Sequence, residues 1–178
     1  MSGGGGARAA VVAAAALLAV TSGCATAPER RWPHFRSALA GLEALSPGEG
    51  GALDARALEG RVVLVTFMST WCAPCLMELP YLTRLHEQHG PAGLSVVAVG
   101  MDLEGALVLR PFAAEYQLPF PLLVADQRIR RGETPFGSIS VLPTTFLLGR
   151  DGAVLAAFQG MAVQPELSKK IAQAVEGR

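Results

Sequence analysis

Two cysteines separated by two residues, in the segment Trp71-Cys72-Ala73-Pro74-Cys75, are the strongest chemical signal in this 178-residue sequence. Disulfide exchange needs a thiolate that forms readily, a second thiol close enough to resolve a mixed disulfide, and access for a partner's sulfur. A Cys-x-x-Cys pair at a strand-to-helix junction meets all three requirements. The unpaired N–H groups and the dipole of a helix N-terminus favour negative charge on the first sulfur, and the second faces back toward it from the first turn. An ordinary thiol is only about 3% ionised at pH 7, and a local field worth about 2 kcal/mol brings it to about half. Cys72 is therefore the expected nucleophile, and Cys75 the more buried resolving cysteine.

Two blander uses of the pair fit less well. A purely structural disulfide closing about four residues restrains the unfolded chain by only about 2 kcal/mol, less than a longer loop gives. A zinc site needs roughly four ligands, and beyond Cys75 there is no further cysteine and no histidine after His89. No metal and no cofactor is expected. His34, His86 and His89 read as surface residues without a role, and Met68 as core filling. Lys plus Arg balance Asp plus Glu at 15 each, so no net field favours nucleic acid.

The third cysteine, Cys24, belongs to the N-terminus. Arg8 precedes an apolar run from Ala9 to Val20, followed by Thr21-Ser22-Gly23 and then Cys24. That order is signal-peptide anatomy, and the run is too short for the roughly 20 residues that a membrane-spanning helix needs. Small residues followed by cysteine resemble a bacterial lipobox, which implies lipidation of Cys24 and attachment to a membrane facing the periplasm. The alternative is ordinary secretory cleavage near Ala25 or Ala27. Either way the chain is expected to be exported into a compartment where disulfide chemistry operates. Residues 1–23 are read as signal peptide, 24–40 as lipid-attachment site and flexible tether, and 41–178 as one domain.

Several elements must hold the cysteines in place. Arg61 to Met68 reads as a buried strand running straight into them, and Leu76, Leu79, Leu82 and Leu85 recur at helical spacing up to Gly90, with a kink expected at Pro80. Leu94 to Met101 reads as a second buried strand, Glu104 to Tyr116 as a helix, and Leu122 to Ala125 as a short strand. Thr144 to Leu148 and Val154 to Phe158 form a hairpin around Asp151-Gly152, and Val163 to Val175 a closing helix. Ser46-Pro47-Gly48-Glu49-Gly50-Gly51 reads as loose. This order predicts an α/β domain, a central mixed β-sheet flanked by helices.

The chain resembles the thioredoxin-like proteins of the TlpA/ResA kind over about residues 58–176. The match rests on Leu58-Glu59-Gly60-Arg61 with the strand after it, Trp71 to Cys75, Glu78-Leu79-Pro80, and Leu142-Pro143-Thr144-Thr145-Phe146 followed by Asp151-Gly152. The resemblance implies a thioredoxin-like fold with a helix-containing insertion over Leu103 to Phe120. It implies a redox-active Cys72–Cys75 disulfide, a cis-proline at Pro143, and substrate contacts at Trp71, Ala73, Pro74, Leu142 and Pro143. Trp71 is expected to pack beside the cysteines and shield them, with an exposed recognition aromatic as the alternative. Thioredoxins proper resemble one another in a buried aspartate six residues before the first cysteine. Here that position is Thr66, and the resemblance moves proton handling to Glu78, with an ordinary surface glutamate as the alternative.

The implied activity is thiol-disulfide oxidoreduction on disulfide-bearing or dithiol envelope proteins, apocytochrome c among the family's substrates, with an upstream membrane thiol protein as electron donor. Ala73 offers no charge or hydrogen-bond donor to the Cys72 thiolate, which favours a reductant. A peroxiredoxin-like peroxidase is the enzymatic rival; Ser69 fits that pattern, but Val65 replaces its proline and a second cysteine follows. Copper-assembly proteins of the Sco kind resemble one another in three residues between the cysteines and a distant histidine, both missing here. A lipid-anchored, redox-inert binding module of the same fold is the non-enzymatic alternative.

Overall fold

The computed structural model describes residues 1, 35–46, 49–162 and 164–177. The apolar leader, Cys24 and His34 lie outside the described residues.

The sheet grows outward from its most apolar strands. In the third strand of the chain, β3 (Val62–Met68), all seven residues are buried. A strand apolar on both faces can only sit inside a sheet, and each large apolar side chain so buried contributes roughly 1.5–3 kcal/mol. It pairs in parallel with β4 (Leu94–Gly100), Val62 opposite Leu94, and antiparallel with β6 (Thr144–Leu148), Thr66 opposite Thr145. Beyond β4 lies β5 (Leu122–Val124), again parallel, and beyond β6 lies β7 (Val154–Gln159), antiparallel. A hairpin of β1 (Glu43–Ser46) and β2 (Glu49–Ala52) completes the order β2-β1-β5-β4-β3-β6-β7.

Alternation along β3 divides the core in two. Val62, Leu64 and Met68 face a cluster with Leu79, Leu82 and Leu85 of α1 (Ala73–His89), Leu109 and Phe112 of α2 (Ala106–Tyr116), and Leu167 and Ile171 of α4 (Gln164–Glu176). Val63, Val65 and Phe67 face the other cluster, closed by Phe35, Leu39, Leu58, Phe136 and Ile129 of the short α3 (Gln127–Arg130). The Tyr81 hydroxyl donates to the Gln164 carbonyl at 2.7 Å and lies 2.8 Å from Ser168 Oγ, fastening α1 to α4.

The strands and long helices expected from periodicity are present, and Pro80 lies inside α1 without ending it. Two expectations change. The folded region starts before residue 41: Phe35, Ala38 and Leu39 are buried, and the Phe35 ring meets Phe136 edge-on at 5.1 Å. Residues 35–40 are therefore part of the core and not of a tether. The segment read as loose contains the last residue of β1 and most of β2, and Ser46 pairs with Glu49. The expected insertion supplies α2, and the short strand expected after it is β5, which extends the sheet toward that hairpin.

Candidate active site

The strand β3 ends at Met68, and four residues later Cys72 caps α1. Its backbone is extended (φ −85°, ψ 96°), and its sulfur accepts the Cys75 N–H at 3.3 Å. One of the unpaired donors of the first helical turn thus points at the Cys72 sulfur, the arrangement that favours a thiolate once the bond to Cys75 opens. Pro74 lies in the first turn, where a missing N–H is harmless. Cys72 and Cys75 form a disulfide with Cα atoms 5.3 Å apart.

Both cysteines are buried, yet they are not equivalent. A cleft of about 560 Å³ is lined by Cys72 with Trp71, Ala73 and Pro74 on one side and Met101, Ile139, Ser140 and Leu142 on the other. Ser69 lines it as well, and Cys75 does not. An incoming sulfur therefore meets Cys72 first. Trp71 is 74% exposed and stands at the cleft, which favours the exposed aromatic over the shielding one. A flat apolar ring at the rim offers contact area to a partner at little conformational cost.

Opposite the cysteines the Leu142–Pro143 peptide bond is cis. The turn around it is closed by Thr144, whose hydroxyl donates to the Val141 carbonyl at 2.7 Å, and the Pro143 carbonyl accepts the Gly160 N–H at 2.8 Å. The Leu142 backbone makes no hydrogen bond to another described residue, and its side chain lines the cleft.

Glu78 is not a surface residue. It lies one turn beyond Cys75 on α1, is 3% exposed, and accepts the Ala162 N–H at 2.7 Å. Burial pushes its carboxyl above the ordinary glutamate range, and the Ala162 bond offsets part of that rise. At the position of the thioredoxin aspartate, Thr66 is buried and accepts a hydrogen bond from the Thr145 hydroxyl at 3.1 Å. A neutral pair of hydroxyls fills that site, leaving Glu78 as the buried carboxylate on the cysteines' own helix.

Residues 41–157 match the family model described as AhpC/TSA family. The chain belongs to the AhpC/TSA family. Its curated relatives include the thiol-disulfide oxidoreductase ResA of a Bacillus cereus strain, 32% identical over 121 residues that cover 67% of this chain and 66% of that protein. ResA of Bacillus subtilis is 28% identical over 138 residues, covering 71% and 74%. The chain thus spans just under two thirds of the B. cereus relative. Among solved structures, a thiol:disulfide interchange protein of the thioredoxin family from Chlorobium tepidum TLS superposes with a TM-score of 0.61. That likeness covers 76% of this chain and 96% of the other at 21% identity, and it establishes the thioredoxin-like fold.

In this AhpC/TSA member the loop before Cys72 is held by a residue that motif reading passed over. Asp102, 2% exposed, accepts the Thr70 N–H at 3.1 and 3.2 Å on its two oxygens and the Thr70 hydroxyl at 2.6 Å. The segment carrying Asp102 is fixed in turn by Arg130 of α3, whose guanidinium donates to the carbonyls of Met101 at 2.6 Å and Asp102 at 2.7 Å. The available signal was position, since Asp102 follows β4 at the carboxyl end of the parallel strands, where α/β sheets gather their functional groups. Ile139, Ser140 and the Ala162 backbone belong to a long loop and a post-hairpin turn that carry no motif.

Proposed function

We propose that the chain is an extracytoplasmic thiol-disulfide oxidoreductase that reduces disulfides of envelope proteins. The observation that carries this reading is the inequality of the pair, with Cys72 lining an open cleft at a helix N-terminus and Cys75 bonded to it from behind. In the reduced protein the Cys72 thiolate attacks a substrate disulfide and expels one substrate thiolate, forming a mixed disulfide. Cys75 then gives up its proton and attacks the Cys72 sulfur. The second substrate thiolate leaves, and the Cys72–Cys75 disulfide of this structure is regenerated.

Glu78 is the acceptor we assign to the Cys75 proton, because a carboxyl held above its ordinary range is a stronger base than a free one. Trp71, Ala73 and Pro74 on one rim and Leu142 on the other form the substrate contacts, with Pro143 setting the Leu142 turn. The unpartnered Leu142 backbone offers an extended substrate segment its hydrogen bonds. Apocytochrome c is one substrate compatible with this chemistry, and a membrane dithiol protein is the upstream donor. The sequence around Cys24 supports a lipid anchor.

The reading is tested by equilibrating the purified domain with dithiothreitol. A reversible two-electron couple nearer −270 mV than −120 mV is expected, whereas a value above about −180 mV contradicts a reducing role and no couple at all indicates an inert module. A Cys75→Ser variant should retain partners as mixed disulfides through Cys72. Loss of fatty-acid labelling in Cys24→Ser tests the anchor.

A further inference from the structure

Between β7 and α4 the chain turns through Gly160, Met161 and Ala162, and two hydrogen bonds from this turn reach the two sides of the active site. The Gly160 N–H donates to the Pro143 carbonyl at 2.8 Å, so one end of the turn holds the cis-proline segment whose Leu142 lines the cleft. The Ala162 N–H donates to Glu78 Oε1 at 2.7 Å, so the other end holds the helix that carries the cysteines. Ala162 is buried with Glu78, while Met161 is 46% exposed. Gly160 has φ +75°, a left-handed conformation in which a side chain is strained, so the shape of the turn depends on a glycine there. The cysteine side and the substrate side of the cleft come from distant segments, and this short turn links them.

Chemistry can change the strength of one bond in that link. A carboxylate holds an N–H about twice as strongly as a neutral acceptor does. In the resolving step the S–H bond of Cys75 breaks, its proton passes to the Glu78 carboxylate, and the electron pair left on Cys75 attacks the Cys72 sulfur. The bond from Cys72 to the substrate sulfur then breaks, and the substrate leaves as a thiolate. Glu78 is a neutral acid at that moment, and its hold on the Ala162 N–H weakens; the link is restored once the proton passes to solvent. We propose that the turn from Gly160 to Ala162 positions the Leu142–Pro143 substrate contact against the cysteine helix, and that transfer of the Cys75 proton to Glu78 loosens this link as the reduced substrate leaves. The proposal rests on the redox reading for its proton. Gly160 and Ala162 are positioning residues, acting through Pro143 and Glu78.

The charge on Glu78 is set locally. Burial and the Ala162 bond act on its carboxyl, with no charged side chain among the causes. On α1 its titratable neighbours are Cys75, held in the disulfide here, and Tyr81, whose hydroxyl is engaged with Gln164 and Ser168 of α4. Arg84, further along α1, lies over the Tyr81 ring. The charged residues of α4 are Glu166 and Lys170, which lie 4.0 Å apart at the surface, the exposed Lys169, and Glu176 at its far end. The strands β3, β6 and β7 and the turn itself carry no titratable side chain. The charge state of Glu78 is therefore the variable that the turn senses.

Two measurements test the link. In the oxidised protein, where the cysteines cannot titrate, backbone amide signals are followed by NMR against pH. The Ala162, Gly160 and Leu142 amides should shift with one common midpoint, and in Glu78→Gln all three should stay flat. Titration of Ala162 without Gly160 and Leu142, or of none of the three, overturns the proposal, and the wild-type pattern decides this whether or not the variant folds. The second measurement uses matched glycines. Gly160 and Gly41 have φ +75° and +76°, and a Cβ at either meets nothing within 4 Å, so Gly160→Ala and Gly41→Ala introduce the same strain, one in the link and one before β1. The reduced proteins are reacted with oxidised glutathione, whose peptide backbone can pair with Leu142, and with dipyridyl disulfide, which has no backbone. Gly160→Ala should slow the glutathione reaction about fivefold, the weight of one net hydrogen bond, and the dipyridyl reaction by less than about twofold. Gly41→Ala should leave the ratio of the two rates at the wild-type value. The same ratio in all three proteins overturns the proposal, because strain that merely destabilises the fold acts alike at both glycines. If the reduced wild type exchanges with neither disulfide, the redox reading falls and the proposal with it; if it exchanges with both and only the ratio fails to move, the link alone falls.

Discussion

At the end of the sheet where β3 and β4 begin, arginines satisfy the loose backbone carbonyls. Arg61 donates to Gly90 and Leu94 carbonyls and to Ser95 Oγ, Arg150 to the Gly60, Ala92 and Val175 carbonyls, and Arg36 to those of Arg61 and Gly149. At the end where those strands stop, a buried carboxyl holds its proton unusually well, a buried hydroxyl has no partner, and Trp71, Leu103 and Val141 stand exposed. At the first end guanidinium groups fasten backbone carbonyls of several segments together; at the second, Asp102 and Arg130 fasten the loop before Cys72 while the Ser69 hydroxyl has no partner. The first end ties the sheet together, and the second carries the cysteines and the cleft.

That contrast can be broken from either side. The largest effect belongs to Cys72→Ser, which should abolish reduction of a protein disulfide and prevent mixed-disulfide trapping in the Cys75→Ser background, leaving the urea midpoint of the reduced protein unchanged. Arg61→Ala should do the reverse. It removes three hydrogen bonds at the closed end and should lower unfolding free energy by roughly 2–3 kcal/mol in urea titration, while the redox potential stays that of the wild type. An altered potential would mean that the two ends are coupled.

Trp71→Ala should raise KM for a protein substrate about tenfold, with stability within about 0.5 kcal/mol and the rate with dithiothreitol unchanged, since the ring is exposed at the rim. Glu78→Gln is the finest probe. Because the native carboxyl holds its proton more tightly than an unfolded glutamate, it favours the fold at low pH, and that contribution is lost as pH rises through the raised native value. Glutamine can still accept the Ala162 N–H, so Glu78→Gln should gain stability relative to the wild type as pH increases and should flatten the pH profile of substrate reduction. Superimposable profiles would return Glu78 to a packing role.

The parts of this molecule legible in the sequence are those written in periodic or local patterns. A run such as Val62–Met68 allows only a central strand, and the Leu spacing after Cys75 only a helix packed beneath it. The cysteines, the cis-proline segment and Glu78 stand out in the sequence because each sits in a short motif, and Glu78 is buried and not on the surface. What escaped depends on contacts between distant segments. Asp102 meets Thr70 across 32 residues, and Ala162 meets Glu78 across 84. Phe35 was assigned to a tether because its polar neighbours carry no period, and only the partner rings at Phe136 and Phe146 reveal it as core. The β1–β2 hairpin was hidden by Gly50 and Gly51, residues with weak strand preference that pairing overrides at a sheet edge. For Trp71 the sequence leaves two readings open for a related reason: adjacency in sequence to a buried cysteine says nothing about which way a side chain points, and its exposure selects the second.

The tie between Glu78 and Ala162 also sets an order of assembly. During synthesis the two cysteines and their helix emerge more than eighty residues before the turn that receives the glutamate and the α4 segment that receives Tyr81. Long-range contacts of this kind form late, after shorter loops have closed. A chain halted before residue 162 would thus carry a complete Cys-x-x-Cys motif with neither its carboxylate anchor nor the helix that backs it. Such a fragment offers its thiols before the contacts that enclose them have formed, and the time between the appearance of the cysteines and the arrival of their last supports is the interval in which they are most accessible.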